Sequence, residues 1–366
     1  MFNKMFVIRI VLVSCFSLVI FESVEAECTR DLKAIYCENI IKISSDVLNE
    51  SYQYYLKLNI LNTTEPFGKS AFKNMKKLTS ISISRSRMGT IYSDTFKDMP
   101  PLKNVFIDFV IIGDIQESAF SNLPKLVEVS ISNTDIPFLR KGIFRNVPQL
   151  SIITIESANL RYIQDDAFYD VPKLNSLRLY SNLLTVVTKG MLNTLTNLQY
   201  LNLANNSISI IENNSFDETP HLSYLILEGN QLKALDLDMF PTTGMKYLQF
   251  INLNGNRLMF LPSAFFNRTP ALEEIGLSLN PWFCPCLKEI YGILYQYNIK
   301  ESSIREMINY FHDILDGDTE KIILTRRSRL PICINRNVSD IICINTYSEN
   351  LSKKYLKYIK DYETFL

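Results

Sequence analysis

The chain has 366 residues, 47% of them hydrophobic, and its 38 basic and 38 acidic side chains cancel. A neutral balance lacks the strong basic field on which nucleic-acid binding relies, and it points to no acidic partner. Length alone suggests two or three domains at about 150 residues each, but an internal repeat overrides that prior.

Residues 1–26 read as a secretory signal. Lys4 and Arg9 supply the positive region, Ile10 to Phe21 is nearly all apolar, and Val24 and Ala26 are the small residues before a cut preceding Glu27. The apolar run is shorter than the ~20 residues a spanning helix needs, so cleavage is expected rather than a retained anchor. Of the seven cysteines, Cys15 leaves with the signal. The other six, Cys28, Cys37, Cys284, Cys286, Cys333 and Cys343, fall only at the two ends of the mature chain. An even set so placed reads as disulfides in an oxidising compartment. Zinc on Cys284, Cys286, Cys333 and Cys343 is the competing reading, and the secretory signal weighs against it. Sequons stand at Asn49, Asn62, Asn205, Asn213, Asn267, Asn337 and Asn350, and in a secreted chain glycans are expected on several. Asn205 is the least favoured, because it adjoins Asn206 of the repeat.

The middle of the chain is periodic. A unit opening on Leu78 restarts at Leu102, Leu126, Leu150, Leu174, Leu198, Leu222, Leu248 and Leu272, every 24 residues except for 26 between Leu222 and Leu248. Such a period is the signature of a solenoid. Positions 1, 4 and 6 are aliphatic, and the step from 4 to 6 marks a short strand with one buried face. Position 9 is Asn182, Asn206, Asn230, Asn256 and Asn280 in the last five units, where a buried amide can bond the turning backbone. Position 19 is Phe96, Phe120, Phe144, Phe168, Phe216, Phe240 and Phe266, broken only by Leu192. Stacked coils turn these columns into one continuous core.

These motifs resemble the typical 24-residue leucine-rich repeat of extracellular proteins. The resemblance implies an α/β repeat solenoid, a horseshoe with a parallel concave β-sheet, an irregular or short-helical convex side, and disulfide caps at both ends. It divides the chain into an N-terminal cap at 27–52, about ten coils over 53–279, a C-terminal cysteine-rich cap at 280–344 and an amphipathic or disordered tail at 345–366. It also implies the pairs Cys284–Cys333 and Cys286–Cys343, whereas spacing alone leaves three connectivities open. Cys28 and Cys37 are spaced to clip the first cap. A divergent first coil is expected to place Leu56 and Leu58 at positions 4 and 6 and Phe72 in the spine. Position 9 of the early units is Ser86, Val110, Thr134 and Ala158, so the Asn ladder should be incomplete there and that half looser or more irregular. A helix is expected around Ile304 to Leu315. The tail, with Leu351, Tyr355, Leu356, Ile359, Tyr362 and Phe365 among lysines, should dock on the cap or fray.

Catalysis finds no footing. His221 and His312 are the only histidines, and neither sits in a motif with a nucleophile or carboxylate. Gly-rich phosphate loops are absent, and the acid pairs Asp165–Asp166 and Glu273–Glu274 read as repeat surface. No catalytic residue, cofactor or metal is expected. The basic run Arg326, Arg327 and Arg329 reads as a solvated loop.

The outward positions of the concave strands are the better candidates. Position 3 runs Ser80, Asn104, Glu128, Ile152, Ser176, Tyr200, Tyr224, Phe250 and Glu274, with Arg178, Tyr180 and Ile226 beside the aromatics. Exposed aromatics with an Arg are the residue types enriched at binding hot spots. The expectation is a secreted glycoprotein that binds an extracellular protein or glycoconjugate through Arg178, Tyr180, Tyr200, Tyr224, Ile226 and Phe250. The partner is not expected to be nucleic acid, and no transmembrane span is foreseen. The same face, or the tail, offers a surface to a second copy or a partner chain. The alternatives are a matrix or adhesion protein, and a non-catalytic subunit of an extracellular complex.

Overall fold

A computed structural model describes residues 28–44, 48, 54–73, 75–93 and 95–302, with backbone alone at 6–10, 21–25, 283–285, 288 and 332–334. The signal, most of the C-terminal cap, the tail, and the sequons Asn49, Asn337 and Asn350 lie outside the described side chains. Two compact units divide the chain, Met1–Leu174 and Asn175–Leu366.

In the first unit a cap hairpin, Thr29–Asp31 against Ala34–Glu38, opens the sheet, and Cys28 is disulfide-bonded to Cys37. Parallel strands follow at Lys57–Leu61, Ser80–Ser84, Asn104–Asp108, Glu128–Ser132 and Ile152–Glu156. Each is five residues long with its second and fourth side chains buried, as the period-2 pattern requires. The first coil is set two residues later than expected. Leu58 and Ile60, not Leu56 and Leu58, pair with Ile81 and Ile83. Leu56 precedes the strand, because the step from Leu58 to Ile81 is 23 residues, one fewer than the usual 24.

The early coils close without the Asn ladder, and they are richer in strand. Ser86 Oγ accepts from the Thr63 amide (3.2 Å) and donates to the Ser84 carbonyl (2.7 Å), and Thr134 Oγ1 donates to the Val110 carbonyl (2.6 Å). Val110 and Ala158 are simply buried. Here the backbone satisfies itself by pairing: Arg87–Ile91 with Ile111–Ile115, and Phe120–Ser121 with Phe96–Lys97 on one side and Phe144–Arg145 on the other. The spine rings stack from Phe72 through Phe96 and Phe120 to Phe144 at 5.0–5.3 Å between centroids. Phe168 is 1% exposed.

In the second unit the strands shorten to three residues, Ser176–Arg178, Tyr200–Asn202, Tyr224–Ile226, Phe250–Asn252 and Glu274–Gly276, followed by Lys300–Glu301. Asn at position 9 takes over. Asn206 Nδ2 donates to the carbonyls of Leu179 (2.9 Å) and Leu203 (3.0 Å), and its Oδ1 accepts from the Leu184 amide (3.0 Å). Asn230, Asn256 and Asn280 repeat the arrangement. Phe216 stacks on Phe240 at 5.6 Å, but Phe240 then meets Phe265 at 5.9 Å, so the last spine place is shared by Phe265 and the expected Phe266. Helix is sparse, with short segments at Lys189–Leu192 and Ala264–Arg268 and a longer one at Cys284–Gln296.

The end of the sheet is finished by a carboxylate. The Leu203, Leu227 and Leu253 amides donate to a carbonyl of the next strand, whereas the Leu277 amide donates to Glu301 Oε1 at 3.2 Å. Glu301 is 5% exposed. Beneath it, Trp282 is fully buried and its Nε1 donates to the Leu277 carbonyl at 2.6 Å.

Candidate binding face

The turn after each sheet strand places its eighth residue at positive φ. These residues are Asn39, Asn62, Arg85, Phe109, Asn133 and Ser157 in the first unit, and Ser181, Asn205, Gly229, Gly255 and Leu279 in the second. Side chains before this turn alternate, and positions 3, 5 and 7 stand on the open face of the sheet. In the second unit this sets Tyr200, Tyr224 and Phe250 directly opposite one another in consecutive strands. Their rings lie 6.3 and 6.2 Å apart between centroids, tilted by 37° and 43°. Tilted rings at this spacing form an attractive aromatic ladder. Tyr224, at the centre, is 44% exposed. The Arg178 guanidinium sits 5.5 Å from the centre of the Tyr200 ring, which extends the ladder by a cation–π contact.

The other outward residues vary in exposure and role. Ile226 and Tyr180 are half-buried, with Ile226 between Asn202 and Asn252 in the register. Glu228 lines one side and accepts from Asn252 Nδ2 at 2.9 Å. Asn252 Oδ1 accepts from the Asn254 amide, and Asn254 Oδ1 from the Ser278 amide at 2.7 Å. These bonds hold the polar border in place. Gly276 is required there, because a Cβ would stand 2.5 Å from Asn252 Oδ1. Ser176, next to Tyr200 in the same column, is buried with a hydroxyl that has no hydrogen-bond partner among the described residues. The arrangement offers a row of tilted aromatic rings with a cation at one end and amides and a carboxylate along its side. It suits stacking and hydrogen bonding.

Two family models match this chain: the BspA type leucine rich repeat region (6 copies) over residues 41–175, and leucine rich repeat over residues 172–232. The chain is a leucine-rich-repeat protein. The two matches meet at 172–175, where strands of five residues give way to strands of three and the Asn column begins. Among solved structures, the leucine-rich-repeat fold is similar to a chain in the octameric complex of Latrophilin 3, Unc5D and FLRT2 (LRR). The TM-score is 0.51 and the identity 18%, covering 63% of this chain and 77% of that one. It is also similar to a chain in the Toll–Spatzle complex of Drosophila, with TM-score 0.51 and 18% identity, covering 68% of this chain and 38% of that one. At this identity the likeness speaks for the fold. No curated protein matches the sequence.

The six residues singled out from the sequence of this leucine-rich-repeat chain all fall in the second unit. Arg178, Tyr200, Tyr224 and Phe250 form one continuous ladder, with Tyr180 and Ile226 beside it. Of the cysteines, Cys28 and Cys37 are joined and Cys286 is disulfide-bonded. Among the sequons, Asn213 and Asn267 are exposed, while Asn62 Nδ2 is engaged with Asn39 Oδ1 at 3.2 Å. Asn205 is exposed, and its Oδ1 occupies the space a Cβ on Gly229 would need, 2.4 Å from that position. His221 packs its ring 5.2 Å from Tyr247, away from any catalytic grouping among the described residues. The left-handed position 8 went unseen in the sequence. So did an outer ladder in which Asn122 Nδ2 donates to Asp98 and Asn146 Nδ2 to Asn122. Their signal was an Asp/Asn column at position 21, legible only once left-handed turns are expected there.

Proposed function

We propose that this chain is an extracellular, non-catalytic recognition protein that binds a protein or glycoconjugate through the open face of its second unit. One observation carries the reading: the Tyr200–Tyr224–Phe250 ladder capped by Arg178, a half-exposed aromatic strip on the sheet with Tyr224 the most open of the three rings. Aromatic and Arg side chains give large contact areas with little ordering cost, and they dominate hot spots. A broad, stiff sheet suits interfaces of ~1,200–2,000 Å² better than small ligands. The Cys28–Cys37 disulfide supports an oxidising compartment, and with it secretion after removal of the signal. The two solved structures named above are complexes with other proteins, which supports a binding role for this fold here. No helix among the described residues is long and apolar enough to cross a membrane. The test is site-specific photocrosslinking on extracellular material. A photoreactive residue at 224 is expected to capture a discrete partner that one at 130, on the Ser-rich face of the first unit, does not. Equal capture from both positions, or from neither, contradicts the reading.

A further inference from the structure

The first unit carries a second site, on different residues from the aromatic ladder and independent of it. A cavity of about 500 Å³ opens between three successive turns. Thr63 and Thr64 line it from one coil, Arg85, Ser86 and Arg87 from the next, and Phe109 and Ile111 from the third. It is an open surface depression rather than an enclosed pocket, with a volume in the range of small-molecule sites. The walls are fixed by hydrogen bonds, because Thr63 Oγ1 accepts from the Arg87 amide (3.2 Å) and Ser86 Oγ bridges the Thr63 amide and the Ser84 carbonyl. The strands behind it, Arg87–Ile91 and Ile111–Ile115, pair with two register breaks, irregularities that proteins place beside functional sites.

Phe109, Ile111, Arg85 and Arg87 all stand exposed at this cavity. Phe109 holds φ at 50° and is 58% exposed. This left-handed turn is common to every coil, so the conformation belongs to the repeat, and what the cavity adds is a bulky exposed ring at a place that favours Asn or Gly. Asn133, at the same place one coil on, shows the residue the turn favours. Ile111 is also 65% exposed. Arg85 and Arg87 are exposed too, and neither has a carboxylate within salt-bridge distance among the described residues. With the Thr63 and Ser86 hydroxyls engaged by the backbone, the charge offered to a ligand is cationic, Phe109 and Ile111 supply an apolar wall, and Thr64 adds one exposed hydroxyl.

We propose that this cavity binds a small amphiphilic anion. Its carboxylate, sulfate or phosphate is held by the guanidinium groups of Arg85 and Arg87, and its apolar body lies against Phe109 and Ile111. The test is calorimetric titration of the full chain with octyl sulfate below its micelle-forming concentration, with octyl glucoside as the neutral control. Saturable binding of one octyl sulfate per chain is expected, about tenfold tighter than octyl glucoside. Arg85→Gln with Arg87→Gln removes that preference. Phe109→Asn weakens octyl sulfate about tenfold while leaving the thermal midpoint equal or higher, because the turn is relieved. Tyr224→Ala, on the ladder, leaves octyl sulfate binding unchanged. Unsaturable uptake, indifference to the Arg and Phe109 changes, loss of binding in Tyr224→Ala, or a lower midpoint for Phe109→Asn would each overturn the proposal.

Discussion

Asn206 reaches back one coil to the Leu179 carbonyl, 2.9 Å away, while its own Oδ1 takes the Leu184 amide. One side chain thus ties two coils together and fills four backbone hydrogen-bonding places in a buried turn. Asn206→Ala orphans the Leu184 amide, while the Leu179, Leu203 and Ala204 carbonyls each keep one donor, from Asn182, Asn230 and the Ser181 amide; an orphaned buried group costs ~1–3 kcal/mol, and three further bonds are lost. Denaturant unfolding is expected to show a loss of at least about 2 kcal/mol. Thr134→Ala, which removes one hydroxyl bond in the first unit, is expected to lose only about 1 kcal/mol.

The Phe spine gives a second prediction. Phe168 is 1% exposed, so Phe168→Ala is expected to destabilise by roughly 3–5 kcal/mol. Phe138 is 41% exposed in its stack with Tyr162, and Phe138→Ala is expected to cost under about 1 kcal/mol. Equal effects at the two positions would contradict the assigned core.

A third concerns alkaline pH. Burial, and secondarily the negative charge of Glu301, push the Tyr291 hydroxyl up to about 12. An unfolded tyrosine titrates near ~10, so the raised value favours the folded state below that pH. The contribution is whole below pH ~10 and lost as pH rises towards about 12. Unfolding midpoints of the wild type and Tyr291→Phe at pH 9 and pH 11.5 isolate it from the other tyrosines. The advantage of the wild type should shrink at the higher pH. A constant difference would mean that Tyr291 is not so held.

The repeat was legible in the sequence because its columns serve one physical need each. Leu201 and Leu203 fill the core side of a strand, Asn206 closes its turn, and Phe216 fills the spine. The register that follows also placed Tyr200, Tyr224 and Phe250 side by side. Features that depend on backbone conformation were harder to read. Position 8 holds Arg85, Phe109, Asn133, Gly229 or Leu279, and no shared residue type reveals that all are left-handed. The early coils lack Asn at position 9, which showed only that the ladder was missing, not that longer strands replace it. The first coil was set two residues early because Leu56 and Leu58 satisfy the pattern as well as Leu58 and Ile60 do. Glu301 carries no signal in the sequence, because only the end of the sheet gives its carboxylate an amide to accept from.

The claim that the open face of the second unit is the binding surface is tested most directly by affinity. Once crosslinking has supplied the partner, its dissociation constant should be measured for the wild type, Tyr224→Ala and Ser130→Ala. Truncating a central aromatic anchor typically costs ~2 kcal/mol, so Tyr224→Ala is expected to bind about thirtyfold more weakly while Ser130→Ala matches the wild type. Wild-type affinity in Tyr224→Ala, with binding lost instead by changes in the Lys-rich tail at Lys353, Lys354 and Lys357, would contradict it.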